Sequence, residues 1–98
     1  MSKFGELIDV SIPVLLDFFT EWNKESDVMH DVLREVAAGL GNKVKVIKID
    51  IEKNKALSEA LRIKDLPTLI IYKDGEMKWR QSGTLDANTL INVIQEYA

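Results

Sequence analysis

No cysteine occurs anywhere in the chain. Disulfides, thiolate metal sites and thiol nucleophiles are therefore excluded together. The single histidine, His30, has no second imidazole or thiolate with which to complete a zinc shell, so neither a metal nor a cofactor is expected. No apolar run approaches the ~18 residues of a membrane span, and the start, Met1 to Asp9, lacks the basic segment, apolar stretch and cleavage site of a secretory signal. A cytoplasmic protein is expected on this reading. Charge of one sign is never gathered into a block: 13 basic and 16 acidic residues are interspersed, for a net charge of -3. That pattern offers no footprint for nucleic acid and no polybasic patch for a membrane surface.

What is present suits one globular domain over residues 1–98, with 46% apolar residues and no repeat, linker or low-complexity segment. Val14 to Thr20 is a continuous apolar run broken only by Asp17, and Pro13 stands at its start, which predicts a strand covered on both faces. Val28, Met29, Val32, Leu33, Val36, Ala37 and Leu40 recur at three- and four-residue steps and predict a helix that ends near Gly39, Gly41 and Asn42. A second strand spans Val44 to Ile51, too apolar on alternate positions to be expected at a free edge. Strand, helix and strand form a βαβ unit with parallel strands and a right-handed crossover.

A short helix is predicted around Lys53 to Leu61, with Ala56, Leu57, Ala60 and Leu61 on one face; Pro67 bars its continuation. Thr68 to Tyr72 and Met77 to Ser82 flank Asp74-Gly75, a pair suited to a tight antiparallel hairpin. Met77 and Trp79 on its second strand are expected to be core or half-buried cover. Asp86 then caps a helix with Ala87, Leu90, Ile91, Ile94 and Tyr97 on its apolar stripe. Phe4, Leu7 and Ile8 stand at helical spacing and predict a turn of helix at the start. The expected fold is an α/β three-layer sandwich, with a mixed central sheet of about four strands flanked by helices.

In order and spacing, several segments resemble the thioredoxin family over residues 13 to 98. Pro13 to Trp22 resembles that family's first core strand and active-site loop, with its acidic residue at Asp17 and its tryptophan at Trp22. Val46-Ile47-Lys48-Ile49-Asp50 resembles the second core strand with its lysine at Lys48. Ile63 to Thr68 resembles the cis-proline loop, Tyr72 to Glu76 the hairpin, and Ser82-Gly83 the glycine bordering the substrate groove. The resemblance implies a leading strand and helix, shortened here to about a dozen residues before the first core strand. It fails where the chemistry would lie. Trp22-Asn23-Lys24-Glu25-Ser26 stands where the family carries Trp-Cys-Gly-Pro-Cys, and the chain holds no thiol to exchange.

Asn23 is a favoured helix N-cap, and Glu25 and Asp27 suit the positive end of the helix, so the position reads as a cap in place of a stabilised thiolate. Ser26 and His30 share a helix face at i, i+4, yet the sequence shows neither a third orienting group nor an oxyanion hole for a serine nucleophile. No catalytic residue is therefore expected. His30 with Asp27 and Asp31 is a poor metal set; a lone histidine is expected in solvent or in a local hydrogen bond. Asp17, buried among Leu16, Phe18 and Phe19, needs a partner such as Lys48 or water, or a raised pKa. The resemblance further implies a groove lined by Trp22, Asn23, Leu66, Pro67 and Gly83, where an extended peptide pairs with backbone. The expected function is a redox-inactive module that binds a peptide or protein partner there. The alternatives are an oxidoreductase by descent acting through other chemistry, and a self-associating structural domain.

Overall fold

Alternation along the first strand decides the layering. The computed structural model describes residues 3–98, and in β1 (Val14–Phe19) the first five residues are buried. Leu15 enters one core with Leu33, Val36, Leu69 and Leu90. Val14, Leu16 and Phe18 enter the other with Ile8, Ile49 and Ile70. A strand apolar on both faces requires cover on both, which the helices supply. Helices α2 (Lys24–Leu40) and α4 (Ala87–Glu96) lie over the Leu15 face; α1 (Lys3–Ile8) and the residues around α3 (Lys55–Ala60) lie over the other. The strands run β2 (Lys45–Asp50), β1, β3 (Thr68–Lys73), β4 (Glu76–Ser82) across the sheet. The β1–β2 pair is parallel; β1–β3 and β3–β4 are antiparallel. This is the mixed four-stranded α/β sandwich expected from the sequence.

The helix ends follow local chemistry. Asn23 accepts from the Ser26 N–H at 2.8 Å, and Asp86 accepts from the Thr89 N–H at 2.7 Å, so each satisfies an orphan donor of the first turn. In the hairpin, Asp74 and Gly75 both take positive φ, 53° and 80°, the mirror-image turn whose twist matches a two-residue connection. Asp74 and Gly75 also donate to the Val10 and Ile8 carbonyls at 2.8 and 3.0 Å, which ties the leading segment to the hairpin.

Several expectations require correction. The second strand is an edge: among the described residues β2 pairs with β1 alone, and Lys3–Ile8 form α1 instead of a strand beside it. Alternating apolar residues report that both faces of β2 are covered, and say nothing of its outer backbone. In α2 the buried line is Met29, Leu33, Val36 and Leu40, while Val28, about a quarter-turn off that line, is exposed. In α3, Ala56 and Ala60 are exposed, and the half-buried members are Leu57 and, just beyond its end, Leu61. Trp79 is half-buried against the α2–α4 core, whereas Met77 is exposed. No described helix is long and apolar enough to cross a membrane.

Candidate functional site

The sheet register gathers three loops at one end of the molecule. Phe18 lies opposite Thr68 and Thr68 opposite Ser82, so the segments following β1, preceding β3 and following β4 are neighbours. They carry Trp22 and Asn23, Leu66 and Pro67, and Gly83 respectively. Thr68, fully buried, locks this end by donating its hydroxyl to the Asp65 carbonyl and meeting the Ser82 Oγ at 3.1 Å. Gly83, at φ 96°, where a side chain would be strained, donates its N–H to the Pro67 carbonyl at 2.8 Å. The Leu66–Pro67 bond is cis.

The loop before β3 is held from below. Arg62 adopts a left-handed φ of 55° after α3, and the Arg80 guanidinium donates to the carbonyls of Leu61 and Arg62 at 2.6 and 2.9 Å. A planar fork suits two adjacent carbonyls, so β4 fixes where this loop begins.

On the surface so formed, Trp22 is 84% exposed, an unusual position for the largest apolar side chain. Leu66, half-buried, makes no hydrogen bond with either its N–H or its C=O among the described residues. An exposed aromatic at the same sheet end as an unpaired backbone donor and acceptor suits an extended chain that pairs and packs. Asn23 does not share that freedom, because its side-chain oxygen is spent on the α2 cap.

Beneath the loop lies a polar cluster in an otherwise apolar layer. Asp17 and Ser26 are wholly buried. The Asp17 carboxylate oxygens, Ser26 Oγ and His30 Nε2 have no hydrogen-bond partner among the described residues. Among the described residues the basic side chain that approaches Asp17 is His30, with Nε2 3.6 Å from Oδ2, and not Lys48. Lys48, opposite Asp17 in register on β2, is exposed and makes no ion pair with it. The pairing of Asp17 with Lys48 is thus replaced by an approach to His30, and Lys48 acts only through its field. Burial pushes the Asp17 pKa up to about 7, with Lys48 opposing. Burial lowers that of His30, with Lys48 and Arg34 acting the same way and Asp27 and Asp31 against it. Near neutral pH the two therefore meet as a partly protonated acid and a neutral imidazole, not as an ion pair.

His30 is the residue that local spacing misplaces. It is neither free in solvent nor bonded within its own helix; it stands edge-on to Phe19, ring centres 4.7 Å apart, and turns Nε2 inward. Its partner lies on a different element, which i, i+4 reasoning within α2 cannot show. The structure supplies the third group absent from the sequence reading of Ser26 and His30, yet it does not make a triad. Ser26 is inaccessible to any substrate and its hydroxyl does not bond His30. Among the described residues there is no metal-binding cluster of acidic and histidine side chains.

A family model described as Thioredoxin matches residues 1–96. The chain is 42% identical over 95 residues to "Thioredoxin Y, chloroplastic" of Oryza sativa subsp. japonica, covering 96% of this chain and 56% of that protein. It is 33% identical over 89 residues to "Thioredoxin" of Rickettsia bellii, covering 91% of this chain and 85% of that one. Against the chloroplast relatives of rice and Arabidopsis thaliana the chain spans 52 to 57% of their length. Among solved structures, a mutant thioredoxin from Halobacterium salinarum superposes with a TM-score of 0.88 at 27% identity, over 99% of this chain and 84% of that one. A chloroplastic thioredoxin z gives 0.85 at 29% identity, over 99% and 90%.

Proposed function

The chain belongs to the thioredoxin family, and from that premise we propose that it is a redox-inactive member which binds an extended peptide or a partner protein in the groove of Trp22, Asn23, Leu66, Pro67 and Gly83. The observation that carries the reading is the Leu66 backbone, whose donor and acceptor are both unpaired on the same sheet end as the exposed Trp22. Recognition by backbone pairing needs no thiol, so it survives the replacement of both cysteines by Asn23 and Ser26. The buried pair of Asp17 and His30 then has no proton to pass to a sulfur, and its role is confined to the layer beneath the groove. The site of action on this proposal is the cytoplasm; the names of several relatives place those proteins in the chloroplast.

Titration with a permanently unfolded, alkylated polypeptide tests the proposal. Amide shifts are expected at Leu66 and Gly83 and in the Trp22 indole, and the chain is expected to add nothing to insulin reduction by dithiothreitol. Shifts confined to another face, or turnover above the buffer blank, would contradict it.

A further inference from the structure

Among the described residues, the outer side of β2 is the longest regular backbone edge left unpaired. The two sheet edges are β2 and β4, and they differ. The β4 ladder is interrupted by a register shift at Ile71/Tyr72, a bulge of the kind that spoils an edge for further pairing. The β2 ladder runs without irregularity from Val14 opposite Lys45 to Phe19 opposite Asp50. Its phase is set at both ends, where Lys45 donates to the Pro13 carbonyl and Ile51 to the Phe19 carbonyl, each at 3.0 Å. Odd-numbered residues therefore bond to β1, and the N–H and C=O of Val46 and Lys48, with the N–H of Asp50, point outward. The Asp50 carbonyl is already taken by the Asn54 side chain. The described leading segment does not cover this edge, because it is tied to the hairpin through Ile8 and Val10.

Side chains at the edge select the occupant. Val46 on the α2 face and Ile47 on the opposite face are only half-buried, so an added strand would complete the cover of both. Lys43, Lys45 and Lys48 follow the edge and none is in an ion pair among the described residues. Of the two acids at its far end, Asp50 already accepts the Glu52 N–H and Glu52 accepts from the Thr20 hydroxyl at 3.3 Å. A basic edge on a chain of net charge -3 repels a second copy of itself and attracts an acidic strand.

We propose that the β2 edge is a second docking surface, distinct from the Leu66 groove, at which an extended acidic segment of a partner adds a strand to the sheet. Backbone pairing with Val46 and Lys48 holds the segment, its apolar side chains extend the faces over Val46 and Ile47, and its carboxylates meet Lys45 and Lys48. The attraction is exposed to solvent and so weakens with salt.

Hydrogen exchange and amide shifts measured with a blocked peptide of repeating Glu-Glu-Val-Val, which puts both residue types on each face of an extended strand and is long enough to span β2, test this. The amides of Val46, Lys48 and Asp50 should gain protection, with those of Ile47 and Ile49 unchanged because they already bond to β1. The combined variant Lys45→Glu and Lys48→Glu should bind about tenfold more weakly, as two exposed contacts turn repulsive. Val46→Pro, which removes an outward donor at an edge that tolerates proline, should abolish the protection. Three results would overturn the proposal: equal binding of the lysine–valine counterpart, changes confined to Trp22, Leu66 and Gly83, or a peptide-free dimer protected at β2. The second of these would leave the groove reading standing, and the loss of groove binding alone would leave this one standing.

Discussion

Asp17 is a wholly buried acid whose only near partner among the described residues is the His30 imidazole, and this makes the stability of the protein depend on pH in an unusual direction. Between its ordinary value of 3.8 and about 7, the folded state keeps a proton that the unfolded chain has lost. Stability therefore falls as pH rises through that window and levels above it, by on the order of 4 kcal/mol. His30 works in the opposite sense just below its ordinary 6.5, because its folded form gives up a proton that the unfolded chain retains, and it softens the slope there. Urea unfolding of Asp17→Asn across this range should show the fall removed, leaving only the shallow rise from His30, with greater stability than the parent at alkaline pH; superimposable profiles would refute the buried-acid account. Asn23 sets a second residue-scale expectation. Asn23→Ala loses the 2.8 Å bond to the Ser26 N–H and should cost about 1 kcal/mol in the same experiment, whereas Asn23→Ser should keep most of it.

At the scale of elements, the sequence is most legible where a pattern reports burial and least where the answer depends on what lies across the gap. The continuous run of β1, the caps at Asn23 and Asp86 and the Asp74-Gly75 turn each have a local physical cause, and each appears in the structure as expected. The edge position of β2 has no such signature, because hydrophobic alternation describes strand faces while pairing concerns the backbone perpendicular to them. Val28 was legible as apolar but not as exposed, since its angular offset from Met29 and Leu33 matters only once the sheet is placed. The approach of His30 to Asp17 joins α2 to β1, and the bracing of the pre-β3 loop by Arg80 joins β4 to the end of α3. Neither pairing is visible in local spacing. Arg80→Ala should cost about 1 kcal/mol, since the bonds lost are charge-assisted but exposed. It should also weaken peptide binding at the groove by loosening the segment that leads to Leu66. Unchanged binding with reduced stability would show that the brace serves the fold alone.

For the whole molecule, two apolar layers and a four-stranded sheet hold three loops at one end, and that arrangement persists although both thiols of the family's reaction are missing. Family membership accounts for the framework; the unpaired backbone and exposed aromatic at that end account for the proposed use of it. The gathering of Trp22, Leu66, Pro67 and Gly83 at one end of the sheet was legible through family resemblance, because it is set by strand register, which the order of segments reproduces. The cap at Asn23 is likewise legible, and its side-chain oxygen is spent there. On the proposed function, an extended chain is captured through the Leu66 peptide group. That capture is tested most directly by amide hydrogen exchange at Leu66, with and without the alkylated unfolded polypeptide. Fast exchange in the free protein and strong slowing on saturation is the predicted result; a Leu66 amide whose exchange is unchanged while the polypeptide is bound would contradict the account.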